Sequence, residues 1–126
     1  MAYNILIVDD SLTARTFIAR TLQMAEVSLN QIYHARNGQE ALDLLQRVWV
    51  DLVFADINMP MMDGAEMVRQ MRTMDLLKSI PVIIISTDRS AQRMAEMREA
   101  GVQAYLTKPI TPEDLKAVVE RFLKSA

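Results

Sequence analysis

Asp51-Leu52-Val53-Phe54-Ala55-Asp56-Ile57-Asn58-Met59-Pro60-Met61-Met62-Asp63-Gly64 reads as a strand, a carboxylate and a tight turn into a helix. Leu52 to Ala55 is a short, unbroken apolar run, the pattern of a strand covered on both faces in the middle of a parallel sheet. Asp56 follows at once. An acid at the carboxyl end of such a strand lies at the mouth of the crevice where open α/β sheets bind ligands. Pro60 and Gly64 mark the turn, and Asp63 is placed to cap the next helix.

Upstream, Ile5-Leu6-Ile7-Val8 repeats the pattern and ends in Asp9-Asp10. Ser11 can cap a helix whose apolar stripe is Ala14, Ile18, Leu22 and Ala25. Gln31 to Ala35 mixes Ile32 and Tyr33 with polar residues, which predicts a less buried edge strand carrying His34 on the surface. Asn37-Gly38 breaks the chain, and Ala41, Leu44, Leu45 and Val48 form the next stripe. Downstream, Met67, Met71 and Met74 line a third helix. Pro81 opens Val82-Ile83-Ile84-Ile85, which runs into Ser86-Thr87-Asp88. Ala91, Met94, Ala95 and Arg98 form the weak stripe of a fourth helix ended by Gly101. Ala104-Tyr105-Leu106 is a fifth strand, followed by Thr107-Lys108-Pro109. Thr111 caps a last helix with Pro112 first and the stripe Leu115, Val118, Val119 and Phe122. Strict alternation of strands and helices predicts an α/β domain, a parallel sheet with helices on both faces.

The length of 126 residues suits one domain, expected over 1–126. Apolar residues at 51% and charged residues at 24% suit a globular core, and the net charge of −2 gives no basic surface for nucleic acid. No cysteine is present, so disulfide frameworks and thiolate metal sites are excluded. No signal segment and no apolar run near the ~20 residues of a membrane span is found, so the expected location is cytoplasmic, with no membrane partner. The ten methionines are expected to be mostly adaptable core filling.

Four strand ends carry polar residues: Asp9 and Asp10 on the first, Asp56 on the third, Ser86 on the fourth and Lys108 on the fifth. A parallel sheet delivers all of them to one edge. Singly, each is what an ordinary strand-to-helix turn offers; together they form a site. Three close carboxylates repel and raise one another's pKa unless a cation joins them. An all-oxygen, water-open site suits Mg²⁺, which favours a phosphate as a further ligand. An Asp carboxylate can attack phosphorus to form an aspartyl phosphate, with Lys108 and Ser86 contacting the phosphate oxygens.

Ile7-Val8-Asp9-Asp10-Ser11, Asp56 with Met59-Pro60-Met61-Met62-Asp63-Gly64, Ser86 after Pro81 and four aliphatics, and Lys108-Pro109 together resemble the receiver domain of two-component response regulators. The resemblance covers the whole chain. It implies a flavodoxin-like (βα)5 doubly wound, three-layer sandwich with strand order 2-1-3-4-5. It implies Asp56 as phosphoacceptor, and Asp9, Asp10, Asp56 and the backbone carbonyl of Asn58 as ligands of Mg²⁺ or Mn²⁺. Ser86 and Tyr105 match the switch positions, Lys108 the phosphate-binding lysine, and Asn58 and Asp88 the positions that tune dephosphorylation. The bond before Pro109 is often cis in such domains. The implied donor is a histidine kinase or its phosphotransfer domain. The implied output is a protein target bound through the fourth helix, fifth strand and fifth helix, with the chain a monomer or weak dimer. The Asp-Asp-Ser opening makes a stand-alone chemotaxis-type regulator the expected role, rather than an enzyme with its own substrate. A phosphorelay shuttle and a receiver fragment of a larger regulator are the alternatives.

Rival readings fit less well. A phosphatase of the haloacid dehalogenase type needs a second Asp two residues after its nucleophile, where Asn58 stands. In a flavodoxin-like electron carrier, Asp9-Asp10 would repel the flavin phosphate. A receiver that has lost phosphorylation would not keep all five key positions.

Overall fold

Residues 2–123 are described by a computed structural model. The expected domain of 1–126 includes residues 1 and 124–126, which lie outside the described residues. Strands and helices alternate throughout: β1 (Tyr3–Val8), α1 (Leu12–Met24), β2 (Leu29–Ala35), α2 (Gly38–Leu45), β3 (Leu52–Ala55), α3 (Gly64–Arg72), β4 (Val82–Ser86), α4 (Ala91–Ala100), β5 (Ala104–Thr107) and α5 (Pro112–Leu123). The sheet is parallel in the order β2-β1-β3-β4-β5. This is the flavodoxin-like, doubly wound arrangement.

Alternation along the strands builds two cores. Leu6, Val8, Val53, Ala55, Val82 and Ile84 pack on one face with Ala41 and Leu45 of α2, Met67, Val68 and Met71 of α3, and Met97 of α4. Ile5, Ile7, Leu52, Phe54, Ile83 and Ile85 pack on the other with Ile18 and Leu22 of α1 and Leu115, Val118 and Val119 of α5. Each such fully buried large side chain contributes about 1.5–3 kcal/mol. The central strands β3 and β4 are buried along their whole length, because helices cover both sides; the outer strands β2 and β5 are largely half-exposed. That contrast is what made Leu52–Ala55 an unbroken apolar run and Gln31–Ala35 a mixed one.

The helix starts follow the capping residues. Ser11, Asn37, Asp63 and Ser90 each accept a backbone N–H three residues on, at 2.9–3.2 Å. Thr111 and Asp114 bond reciprocally at the start of α5, at 3.0 and 3.1 Å.

The fourth helix corrects the expected stripe. Ala91, Ala95 and Arg98 are exposed and Met94 is half-buried; the buried residues are Met97 and Ala100. The helix touches the core only near its C-terminus, so spacing over its full length carried little information. Met74 lies beyond the end of α3 at Arg72, yet still packs on the core. Of the methionines, Met67, Met71 and Met97 are buried and Met59, Met62 and Met74 pack partly against the core, whereas Met24 and Met61 are exposed.

The register sets the site. Val8 pairs with Ala55, Ala55 with Ile84, and Ser86 with Thr107. The carboxyl ends of β1, β3, β4 and β5 therefore lie along one edge, β4 and β5 running two residues further, so that Asp9, Asp56 and Lys108 just past their strands and Ser86 at the end of β4 share that edge.

Candidate functional site

Asp9 and Asp56 are each the first residue past a central strand, and Asp10 follows Asp9. Carboxylate oxygens of Asp9, Asp10 and Asp56 lie within 4.8 Å of one another. They form a gradient of exposure: Asp9 is buried at 3%, Asp56 is half-buried and Asp10 is exposed. Local backbone holds the two deeper groups. The Ser11 N–H donates to Asp9 Oδ1 at 2.9 Å, and the Ile57 N–H donates to Asp56 Oδ1 at 2.8 Å. In each, Oδ2 is left for another partner.

Burial pushes the Asp9 carboxyl above the ordinary carboxylate value. The Ser11 N–H and Lys108 oppose this, while Asp56 and Asp10 add to it. Burial likewise pushes Asp56 up, with Asp10 adding and the Ile57 N–H and Lys108 opposing. The donor set is three carboxylates with no sulfur or imidazole, and its charges favour protonation unless a cation enters. It fits a hard divalent ion such as Mg²⁺.

Lys108 is half-buried, and its backbone N–H donates to the Ser86 carbonyl at 2.9 Å, which fixes the end of β5 against β4. Its positive charge opposes the rise in carboxyl pKa at both Asp9 and Asp56. The Lys108–Pro109 bond is cis, as the resemblance implied.

Ser86 is buried at 4%, and its Oγ accepts the Asp88 N–H at 3.1 Å. The Tyr105 hydroxyl donates to the Asp88 carbonyl at 2.7 Å, and its half-buried ring packs on the α3/α4-side core. Both expected switch residues therefore meet at Asp88. The Asp88 carboxylate accepts the Ser90 N–H at 2.8 Å and faces Arg93 at 3.7 Å; these hold its carboxyl below the ordinary value. Asn58 is exposed on the loop after Asp56.

Two site neighbours went unnoticed in the sequence. Arg15 is buried at 8%, and its Nη1 donates to the Asp9 carbonyl at 2.6 Å while Nε donates to His34 Nδ1 at 3.3 Å. An arginine inside an otherwise apolar helix face, three residues before Ile18, was the available signal. Asn37 is buried, caps α2, and donates through Nδ2 to Met61 Sδ at 3.7 Å; beside it the Gly38 N–H donates to the Met62 carbonyl at 3.0 Å. The Asn-Gly pair read as a chain break is also a brace for the loop that follows Asp56.

The response regulator receiver domain, as a family model, matches residues 5–120. The chain is 35% identical to a chemotaxis protein CheY homolog of Campylobacter jejuni over 95% of this chain and 92% of that protein. It is 32% identical to chemotaxis protein CheY-3 of Vibrio cholerae, over 96% of this chain and 92% of that one. Among solved structures it resembles the chemotaxis response regulator CheY4 of Vibrio cholerae, with a TM-score of 0.86 and 32% identity over 98% and 100% of the two chains. Among the described residues, no helix is long and apolar enough to cross a membrane.

Proposed function

Because the chain belongs to the response regulator receiver family, we propose that it accepts a phosphoryl group on Asp56 from a histidine kinase and signals by a change in partner binding. The carrying observation is the convergence of Asp9, Asp10 and Asp56 within 4.8 Å at one sheet edge, with the charge of Lys108, the residue after β5, acting on it. In the transfer, an Asp56 oxygen forms the new bond to phosphorus. The bond from phosphorus to the donor imidazole nitrogen breaks, and its electron pair returns to that nitrogen.

Asp9, Asp10, Asp56 and the Asn58 carbonyl would hold Mg²⁺ or Mn²⁺, which when bound neutralises charge on the phosphoryl oxygens. Lys108 pairs with one of those oxygens as a point charge. Ser86 exchanges its bond from the Asp88 N–H for one donated to another oxygen. Asn58 and Asp88, flanking the phosphate, set how easily water reaches it.

Release of the Asp88 N–H frees the β4–α4 turn that Tyr105 grips, so occupancy of Asp56 reaches the face formed by α4, β5 and α5. That face is the proposed contact for the downstream protein. Reversing a two-state population from 1:99 to 99:1 takes about 5.5 kcal/mol. A few charge-assisted hydrogen bonds at about 1.5–3 kcal/mol each supply part of it, and the bound partner supplies the rest. Similarity to CheY proteins supports a role in chemotaxis or a related cytoplasmic pathway.

Intact mass after incubation with acetyl phosphate tests the reading. A gain of roughly 80 Da that needs Mg²⁺ and is absent in Asp56→Asn is expected from one covalent phosphoryl group. An unchanged mass, or the same gain in the variant, refutes Asp56 as the acceptor.

A further inference from the structure

α4 is held differently at its two ends. Its buried side chains, Met97 and Ala100, lie in its last four residues, 97–100. In its first six residues Ala91, Gln92, Ala95 and Glu96 are exposed, and Arg93 and Met94 are only half-buried. Gly101 closes the C-terminal end at φ 114°, and the N–H groups of Gly101 and Val102 reach back to the Met97 carbonyl at 3.2 and 3.1 Å.

Arg72, the last residue of α3, closes onto this cap. Its Nε and Nη2 donate to the Gly101 carbonyl at 3.0 and 2.8 Å, and Nη2 also donates to Gln103 Oε1 at 2.9 Å. Its Nη1 donates to the carbonyls of Lys78 and Ile80, each at 3.0 Å. Gln103 Oε1 accepts the Val82 N–H at 2.8 Å as well. One planar guanidinium thus joins α3, the loop before β4 and the turn from α4 to β5, and Gln103 extends the link to the first residue of β4. All its partners are neutral oxygens, which use the fork geometry of arginine rather than its charge alone.

The N-terminal end of α4 is held by bonds that meet at Asp88: its N–H to Ser86, its carbonyl from Tyr105, its carboxylate to Ser90 and Arg93. Ser86 ends β4, the strand next to β3, which Asp56 follows. One end is a multidentate clamp, and the other is held chiefly through a single residue.

We infer that Arg72 is a positioning residue that clamps the C-terminal cap of α4, so that a change at Ser86 swings the first half of α4 against a fixed last turn, residues 97–100. β5 and the last turn of α4 stay in place. The swing rests on the reading of Asp56 as acceptor; the clamp does not. Segments with few buried contacts open locally at low cost, whereas clamped ones open only with the core.

Backbone amide hydrogen exchange of the intact chain, with and without beryllofluoride and Mg²⁺, tests this. Residues 87–96 are expected to exchange faster than 97–104 and to carry the beryllofluoride response. Arg72→Met should speed exchange of 97–104 by roughly tenfold or more and let the response spread into that segment. Arg72→Lys, which keeps charge without the fork, should fall between, and it carries the comparison if the first variant does not fold. Wild type in enough urea to match the variant's global stability is the control, since urea speeds exchange without favouring 97–104. Equal protection of the two halves of α4 in the wild type overturns the clamp. So does an Arg72 variant no faster at 97–104 than the urea-matched wild type. Loss of the beryllofluoride response everywhere refutes the acceptor reading instead, and the exchange contrast still decides the clamp.

Discussion

Replacing Gly64 by alanine puts a methyl carbon 2.5 Å from the Asp56 carbonyl oxygen and 3.2 Å from the Ile57 Cα. A close carbon–oxygen contact is about 3.3–3.6 Å, so roughly 0.8–1.1 Å of separation is missing. The obstacle is backbone, not a flexible side chain, and the loop is further closed by the Gly64 N–H donating to the Ile57 carbonyl at 2.8 Å. Backbone strain at Gly64 is not the issue, since its φ is not positive. Alanine for glycine in a helix gains about 0.5–1 kcal/mol, whereas such overpacking costs about 1–3 kcal/mol. The expected net loss is about 1–2 kcal/mol, read as a lower urea midpoint by far-UV circular dichroism. The relief must come from Asp56 or from the start of α3. Misplacing a reacting group by about 1 Å costs on the order of a hundredfold, so labelling by acetyl phosphate should slow roughly ten- to a hundredfold. A variant as stable as the wild type refutes the packing reasoning. One that is destabilised yet labelled at the wild-type rate refutes the coupling to Asp56.

Other tests address the site and the switch. Asp9 and Asp56 have folded pKa values raised by burial, so the folded chain holds their protons more tightly than the unfolded one. Stability without divalent cation should therefore fall as pH rises from the ordinary carboxylate value through the raised ones. Asp9→Asn should flatten that slope and raise the neutral-pH melting temperature; a steeper slope would contradict it. Saturating Mg²⁺ at a hundred times its Kd should stabilise the wild type by about 2.7 kcal/mol and the variant by less, which titration calorimetry with thermal melts can measure. Tyr105→Phe removes the bond to the Asp88 carbonyl and should cost about 0.5–1.5 kcal/mol in urea unfolding. Gly101→Ala meets both a φ of 114° and the Arg72 Cγ at 3.0 Å. It should cost about 1–2 kcal/mol, and no loss of stability would argue against the tightness of that cap.

Much of the fold and site was legible because burial on both faces leaves an unmistakable trace. Ile5–Val8, Leu52–Ala55 and Val82–Ile85 are apolar without interruption, and the residue types that break each run are those that meet at the edge. Caps were legible for a similar reason: Ser11, Asp63 and Thr111 act on N–H groups a few residues away. What escaped depends on distant chain. α4 buries only Met97 and Ala100, so averaging over its length put the stripe on Ala91, Ala95 and Arg98. Arg15 and Arg72 look like surface charges, because the carbonyls that satisfy them exist only once Asp9, Ile80 and Gly101 are in place. The meeting of Ser86 and Tyr105 at the two sides of Asp88 likewise depends on the pairing of β4 with β5.

The strand order has a consequence for synthesis on the ribosome. Once β1 and β2 have emerged, β3 adds to the free side of β1, β4 to β3 and β5 to β4, so the sheet widens in the order of translation. Each nascent intermediate ends in a temporary border. β3 and then β4 occupy it, and these strands are apolar on both sides. Such a border is a template for joining to another chain. The finished sheet is bounded by β2 and β5, the two strands that tolerate water. Stalling between Ser86 and Ala104 would thus release the chain at its stickiest length, and the last βα unit acts as a lid against self-association.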